Sequence, residues 1–134
     1  MKVAIRYYTK TGNTKKMAEA LGDAIGVEAL TVDSPLTEDV DILFLGSAVY
    51  AAGVDSKIKE FIENINANVG KIVNFSSAAL IESTYKQVKK IAEENNITMA
   101  SEEFHCRGAF KFVHRGHPND EDIKNLINFA KSII

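Results

Sequence analysis

The sequence predicts a doubly wound α/β fold, with five parallel strands alternating with helices on both faces of the sheet. Three observations carry this reading. Apolar residues switch repeatedly between strand-like runs and the i, i+3, i+4 spacing of a helix. Ile42 to Val49 is a nearly unbroken apolar run, as expected for a central parallel strand buried on both faces. The first strand also passes straight through Thr9-Lys10-Thr11-Gly12-Asn13-Thr14 into a helical pattern.

The elements follow in order. Lys2 to Tyr8 reads as the first strand. Met17, Ala20, Leu21, Ala24 and Ile25 share one face of a helix, and Gly26 is its stop. Val27 to Val32 is a short second strand, and Asp33 to Asp39 is a polar turn containing Pro35. After the third strand, Asp55 or Ser56 caps a helix with the inner stripe Ile58, Phe61, Ile62 and Ile65. Lys71 to Phe75 is the fourth strand. Thr84 and Gln87 have capping-box spacing ahead of a helix whose inner face is Tyr85, Val88, Ile91 and Ala92. Ile97 to Cys106 contains the fifth strand. Asp120, Glu121 and Asp122 bring negative charge to the first turn of a last helix, packed through Ile123, Leu126, Ile127 and Ala130.

A chain of 134 residues fits one domain, residues 1–134, with one core. Its 46% hydrophobic and 25% charged content is that of an ordinary globular protein. No apolar run is long enough to span a membrane and the first residues form no signal peptide, so a cytoplasmic protein is expected. The one cysteine, Cys106, excludes an internal disulfide and a cysteine-rich zinc site, and reads as a small buried hydrophobe. A net charge of −2 points to neither nucleic acid nor an anionic membrane as partner.

The loop after the first strand is built to hold a phosphate. The first amides of a helix have no internal partner, and the helix dipole puts partial positive charge there. A Walker loop needs G-x-x-x-x-G-K-[ST] and a dinucleotide turn needs G-x-G-x-x-G, but this loop has a single glycine. Hydroxyls stand in for glycines, which suits a terminal phosphate monoester. The alternative is an ordinary strand–turn–helix junction capped by Thr9 or Asn13.

With these residues in view the sequence resembles the flavodoxin family over its whole length. Tyr7, Thr9, Gly12, Thr14, Ala18 and Leu21 match the phosphate signature of that family. Phe104-His105-Cys106-Arg107-Gly108 and Gly116-His117-Pro118-Asn119 with Asp122 resemble a subgroup of small flavodoxin-like proteins. Arg6 departs from the pattern, since the family prefers an apolar residue there; it either sits at the exposed strand end or pairs with an acid. The resemblance implies strand order 2-1-3-4-5 and FMN as cofactor. The phosphate would sit on Thr9, Lys10, Thr11, Gly12, Asn13 and Thr14. The ring would lie between the loops after strands three and four, at Ala48, Val49, Tyr50, Ala51 and Gly53 and at Ser76, Ser77 and Ala78. Tyr50 would cover one ring face, with a rim aromatic as the alternative. Gly53 would provide the peptide that turns toward the reduced ring, because glycine tolerates positive φ. The loop Ser76 to Ile81 lacks the aromatic that many flavodoxins place against the other face; Phe110 and Phe112 are the candidates to cover it, or else core residues.

The implied activity is low-potential one-electron transfer between redox proteins, a reductase and an acceptor, with no catalytic protein residue, as a monomer or weak dimer. The alternatives are an NAD(P)H-dependent FMN oxidoreductase and a non-redox module. The chain has no spare length for a nicotinamide pocket, which argues for the carrier. Acids crowd the middle stretch (Asp33, Glu38, Asp39, Asp41, Asp55, Glu60, Glu63). Phe104 to Asn119 holds Arg107, Lys111, Arg115 and the three histidines without an acid, either as a docking patch or as a solvated loop. Those histidines lack a carboxylate or thiolate set, so no metal is expected.

Overall fold

The computed structural model describes residues 1–10, 12–49, 56–78, 83–107 and 118–134. Its elements run β1 (Val3–Tyr7), α1 (Asn13–Ile25), β2 (Ala29–Thr31), β3 (Val40–Val49), α2 (Ser56–Glu63), β4 (Val69–Ala78), α3 (Tyr85–Glu94), β5 (Met99–Arg107) and α4 (Asp120–Ile133). The strands form one parallel sheet in the order β2-β1-β3-β4-β5, as the resemblance implied.

Alternation along the strands feeds two separate cores. Ile5, Tyr7, Ile42, Phe44, Val73 and Phe75 point to one face and pack on Met17, Ala18 and Leu21 of α1 and Leu126 and Ala130 of α4. Ala4, Leu43, Leu45 and Ile72 point to the other face and meet Ile58, Phe61 and Ile62 of α2 and Val88 and Ala92 of α3. Most of the helical stripe residues expected from the sequence lie on the buried faces, but on α1 Ala24 is exposed and Ala18 and Gly22 are buried beside Met17 and Leu21; Gly26 ends α1 in the left-handed region, at φ 73°. Among the described residues no helix is long and apolar enough to cross a membrane.

Three local expectations are corrected. First, β4 runs on to Ala78, so Ser76, Ser77 and Ala78 belong to a strand and not to the loop after it; pairing continues from Ser47↔Ser76 through Val49↔Ala78. Second, Thr84 and Gln87 form no capping box. Thr84 has a helical backbone (φ −87°, ψ −1°), whereas a side-chain cap needs an extended one, and its hydroxyl bonds elsewhere. The box is formed instead at α4, where Asn119 accepts from the Asp122 amide and Asp122 accepts from the Asn119 amide, both at 2.9 Å. Third, Arg6 is not exposed, and among the described residues its guanidinium is hydrogen-bonded to no acid. Its buried guanidinium donates to the carbonyls of Ser34 (2.9 Å), Ile5 (3.0 Å) and Pro35 (3.4 Å), pinning the turn after β2. Burial lowers its pKa, against the opposing pull of Glu28 and Glu38.

Part of the acidic middle stretch is used at the amino end of the sheet. Glu38 pairs with the Lys2 ammonium at 2.6 Å, Asp41 accepts from the Lys2 amide, and Asp39 accepts from the Asn68 amide, the last two at 2.8 Å. These acids hold the starts of β1, β3 and β4, a full strand length from the loop at Thr9.

Candidate functional site

All strands are parallel and each helix returns across a face, so the amino ends of the helices gather at the carboxyl end of the sheet. The topology switches direction between β1 and β3, the place where open α/β sheets bind ligands.

The loop after β1 is organised around Gly12. Its φ of 91° is a left-handed conformation, which a side chain would strain. Gly12 is the N-cap of α1, in place of Thr9 or Asn13. The Thr9 hydroxyl instead accepts from the Gly12 amide at 2.9 Å, closing the turn. The first turn of α1 contains no acid, and its glycine cap brings no side-chain acceptor. The amino end of α4 is the opposite case: it carries Asp120, Glu121 and Asp122 and is capped by its own box. Lys16 reaches across from α1 to the carbonyl of Pro118 at 2.7 Å, joining the two helix starts. Of these two neighbouring termini, the one on α1 suits an anion, and the one on α4 has its charge already neutralised.

Thr14 does not face outward from this loop. It is fully buried, its hydroxyl donates to the Ser47 carbonyl at 3.3 Å, and it lies 3.5 Å from the Ser77 hydroxyl. Gly46 makes room for it: a Cβ on Gly46 would stand 2.9 Å from Thr14 Cγ2 and 2.4 Å from Phe75 Cζ.

A polar layer underlies the carboxyl end of the sheet. Thr14, Ser47, Asn74, Ser76, Ser77 and Thr84 are all buried there. On the α2/α3 face the Ser47 and Thr84 hydroxyls are 2.8 Å apart, Asn74 Nδ2 donates to Thr84 Oγ1 at 3.0 Å, and the Thr84 amide makes a long bond of 3.5 Å to Ser76 Oγ. Asn74 and Thr84 belong to this layer and are not among the site residues expected from the sequence. The signal was present: Ile72, Asn74 and Ser76 alternate onto one face, and that face turns polar toward the carboxyl end.

The remaining site residues divide as follows. Ala48 and Val49 end β3 and Ala78 ends β4 in paired positions, while Lys10 precedes Gly12 in the first loop. Thr11, Tyr50, Ala51 and Gly53 lie outside the described residues, as do Asp55, Phe110, Phe112, Lys111, Arg115, His114 and His117. Of the basic segment, His105 Nδ1 lies 2.8 Å from the Glu103 carboxylate, which also accepts from Ser83 Oγ at 3.3 Å.

Cys106 is a partly buried free thiol against Met17 Sδ at 3.9 Å. Burial, aided by the Asp122 carboxylate, pushes its pKa up to about 12 from an ordinary 9.0. The thiol therefore stays protonated and unreactive at neutral pH. Its stability contribution is complete below the unfolded-state pKa and is lost as pH rises toward about 12, because the folded chain keeps a proton that the unfolded chain releases. Cys106→Ala should thus flatten the fall in urea midpoint above about pH 9, a window set by the ordinary thiol pKa. Parallel curves for the two proteins would contradict this.

The comparisons with known proteins agree with this geometry. A family model described as the flavodoxin domain matches residues 4–113. The chain is 28% identical to the uncharacterized protein MJ0298 of Methanocaldococcus jannaschii, over 91% of this chain and 90% of that protein. It is 29% identical to the flavodoxin-like domain-containing protein BilS of Clostridioides difficile, over 96% of this chain and 82% of that one. Among solved structures, a flavodoxin from the domain Archaea superposes with a TM-score of 0.76 at 17% identity, covering 99% of both chains. By its strand order, by the length of the match and by its first loop, this chain belongs to the flavodoxin domain family.

Proposed function

We propose that the protein binds FMN at the carboxyl end of its sheet and carries single electrons between redox proteins, a reductase and an acceptor, in the cytoplasm. The observation that carries the reading is the start of α1, where a left-handed glycine opens a helix whose first turn has no acid, at the switch point of a flavodoxin sheet. These residues fit a phosphate monoester. Amides after Gly12 would hold its oxygens, Thr9 shapes the turn that aims them, and Thr14 anchors the helix start to β3 from below. Lys10, Thr11 and Asn13 belong to the same proposed cradle. Tyr50, Ala51 and Gly53, with the ends of β3 (Ala48, Val49) and β4 (Ser76, Ser77, Ala78), make up the proposed ring end. Ser76 and Ser77 would serve there as its buried floor. Bound FMN would supply the one-electron chemistry. The protein contributes orientation, exclusion of water and a fixed set of hydrogen bonds.

Anaerobic mixing separates a carrier from an enzyme. The FMN-loaded protein is expected to keep its visible absorption when NADPH is added alone and to bleach once a flavodoxin reductase is added. Rapid bleaching by NADPH alone would contradict the carrier and indicate an FMN oxidoreductase. A protein that remains colourless, with a melting transition indifferent to FMN, would indicate a non-redox module.

A further inference from the structure

We propose that Thr84 is a positioning residue for the ring end of the site, a role that rests on the FMN reading above. At that end β3 finishes at Val49 and β4 at Ala78, and Thr84 is the N-cap residue of α3. The Thr84 hydroxyl is bonded to both strands on the α2/α3 face. It meets Ser47 Oγ of β3 at 2.8 Å and receives Asn74 Nδ2 of β4 at 3.0 Å, and all three residues are buried. The Thr84 carbonyl also accepts from the Val88 amide at 3.1 Å, so the same residue begins the hydrogen bonding of α3.

The link continues through the sheet. Ser47 presents its hydroxyl to Thr84 on one face, and its carbonyl accepts the Thr14 hydroxyl from the other. A buried hydrogen-bonded chain therefore runs from the first turn of α1, at the phosphate end, to the start of α3, at the ring end. Low local dielectric strengthens such a chain and makes each missing partner costly. Asn74 heightens the dependence. Among the described residues its Oδ1 is buried without a partner, so the bond to Thr84 orients its amide. The Thr84 side chain makes no cap bond to α3 and is used here, so the capping-box spacing does not form a box.

The test compares Thr84→Val, which keeps the shape and removes the hydroxyl, with Thr84→Ser, which restores it. Each full-length variant is titrated with FMN and with riboflavin, and the visible spectrum of the bound flavin is recorded. Thr84→Val is expected to weaken both ligands by the same factor, about ten-fold, and to alter the fine structure of the flavin band. Thr84→Ser should return the spectrum to wild type. A Thr84→Val protein with wild-type affinity and spectrum, or a defect that serine does not repair, would overturn the positioning role while leaving FMN binding intact. A wild-type protein that takes up neither flavin overturns the FMN reading itself and this inference with it. Should Thr84→Val not fold, Ser47→Ala removes the same link and keeps the Thr84–Asn74 bond. The same spectral change is then expected, and an unaltered spectrum would count against the proposal.

Discussion

Gly46→Ala is expected to destabilise the protein by about 3 kcal/mol, the upper part of the usual range for overpacking a tight core. The added methyl would stand 2.4 Å from Phe75 Cζ, 2.5 Å from Phe75 Cε2 and 2.9 Å from Thr14 Cγ2. Neither neighbour can swing into solvent. Phe75 and Thr14 are both fully buried, and the phenylalanine belongs to the core that includes Met17, Phe44, Val73 and Leu126. Relief requires β4 or the first turn of α1 to move. A domain of this size has about 5–15 kcal/mol of stability in all, so the loss would lower the melting temperature by roughly 10 °C. The same shift would displace the start of α1 and weaken flavin binding. The pair Gly46→Ala/Phe75→Leu should recover part of the loss, because the smaller side chain vacates the space the methyl needs. A single variant within about 0.5 kcal/mol of wild type in urea denaturation, the scatter of unremarkable surface changes, would contradict the packing described.

The fold was legible in the sequence because both of its periodicities are strong. The run Ile42 to Val49 lies within the central strand β3, and most of the stripe residues of α1 to α4 lie on the buried faces, Ala24 excepted. What the sequence did not reveal was the use of polar side chains. Ser76 and Ser77 look like loop residues by composition, yet they extend β4 because Ser47, Ala48 and Val49 of β3 supply a ladder for them. Thr84 and Gln87 have the spacing of a capping box, but the Thr84 hydroxyl is engaged by Ser47 and Asn74 instead. That choice depends on contacts 37 and 10 residues distant, which local spacing does not register. Arg6 is a similar case: its partners are carbonyls of the turn after β2, groups that every sequence possesses and no sequence pattern marks. In the first loop Gly12 takes the cap position and Thr9 serves Gly12, a division of roles that composition does not mark.

The second large effect concerns the phosphate. If the start of α1 is an anion site, removing the phosphate from the ligand should cost far more than any change at the ring. Hydrogen bonds to a charged group contribute about 1.5–3 kcal/mol each, and the helix terminus adds about 0.3–1 kcal/mol. Two or three such bonds amount to a preference of roughly 10²- to 10⁴-fold for FMN over riboflavin, at about 1.4 kcal/mol per ten-fold. Salt should narrow the gap, because the terminus is near the surface and its charge is screened.

The most direct measurement is therefore a paired titration of the flavin-free protein with FMN and with riboflavin at low salt and neutral pH, following the quenching of flavin fluorescence. Saturation by FMN at one equivalent, with riboflavin at least about 100-fold weaker, is the expected result for a phosphate held by charged hydrogen bonds. Equal affinity for the two ligands, or no quenching by either, would contradict the assignment of the Thr9 to Thr14 loop as the phosphate end of an FMN site.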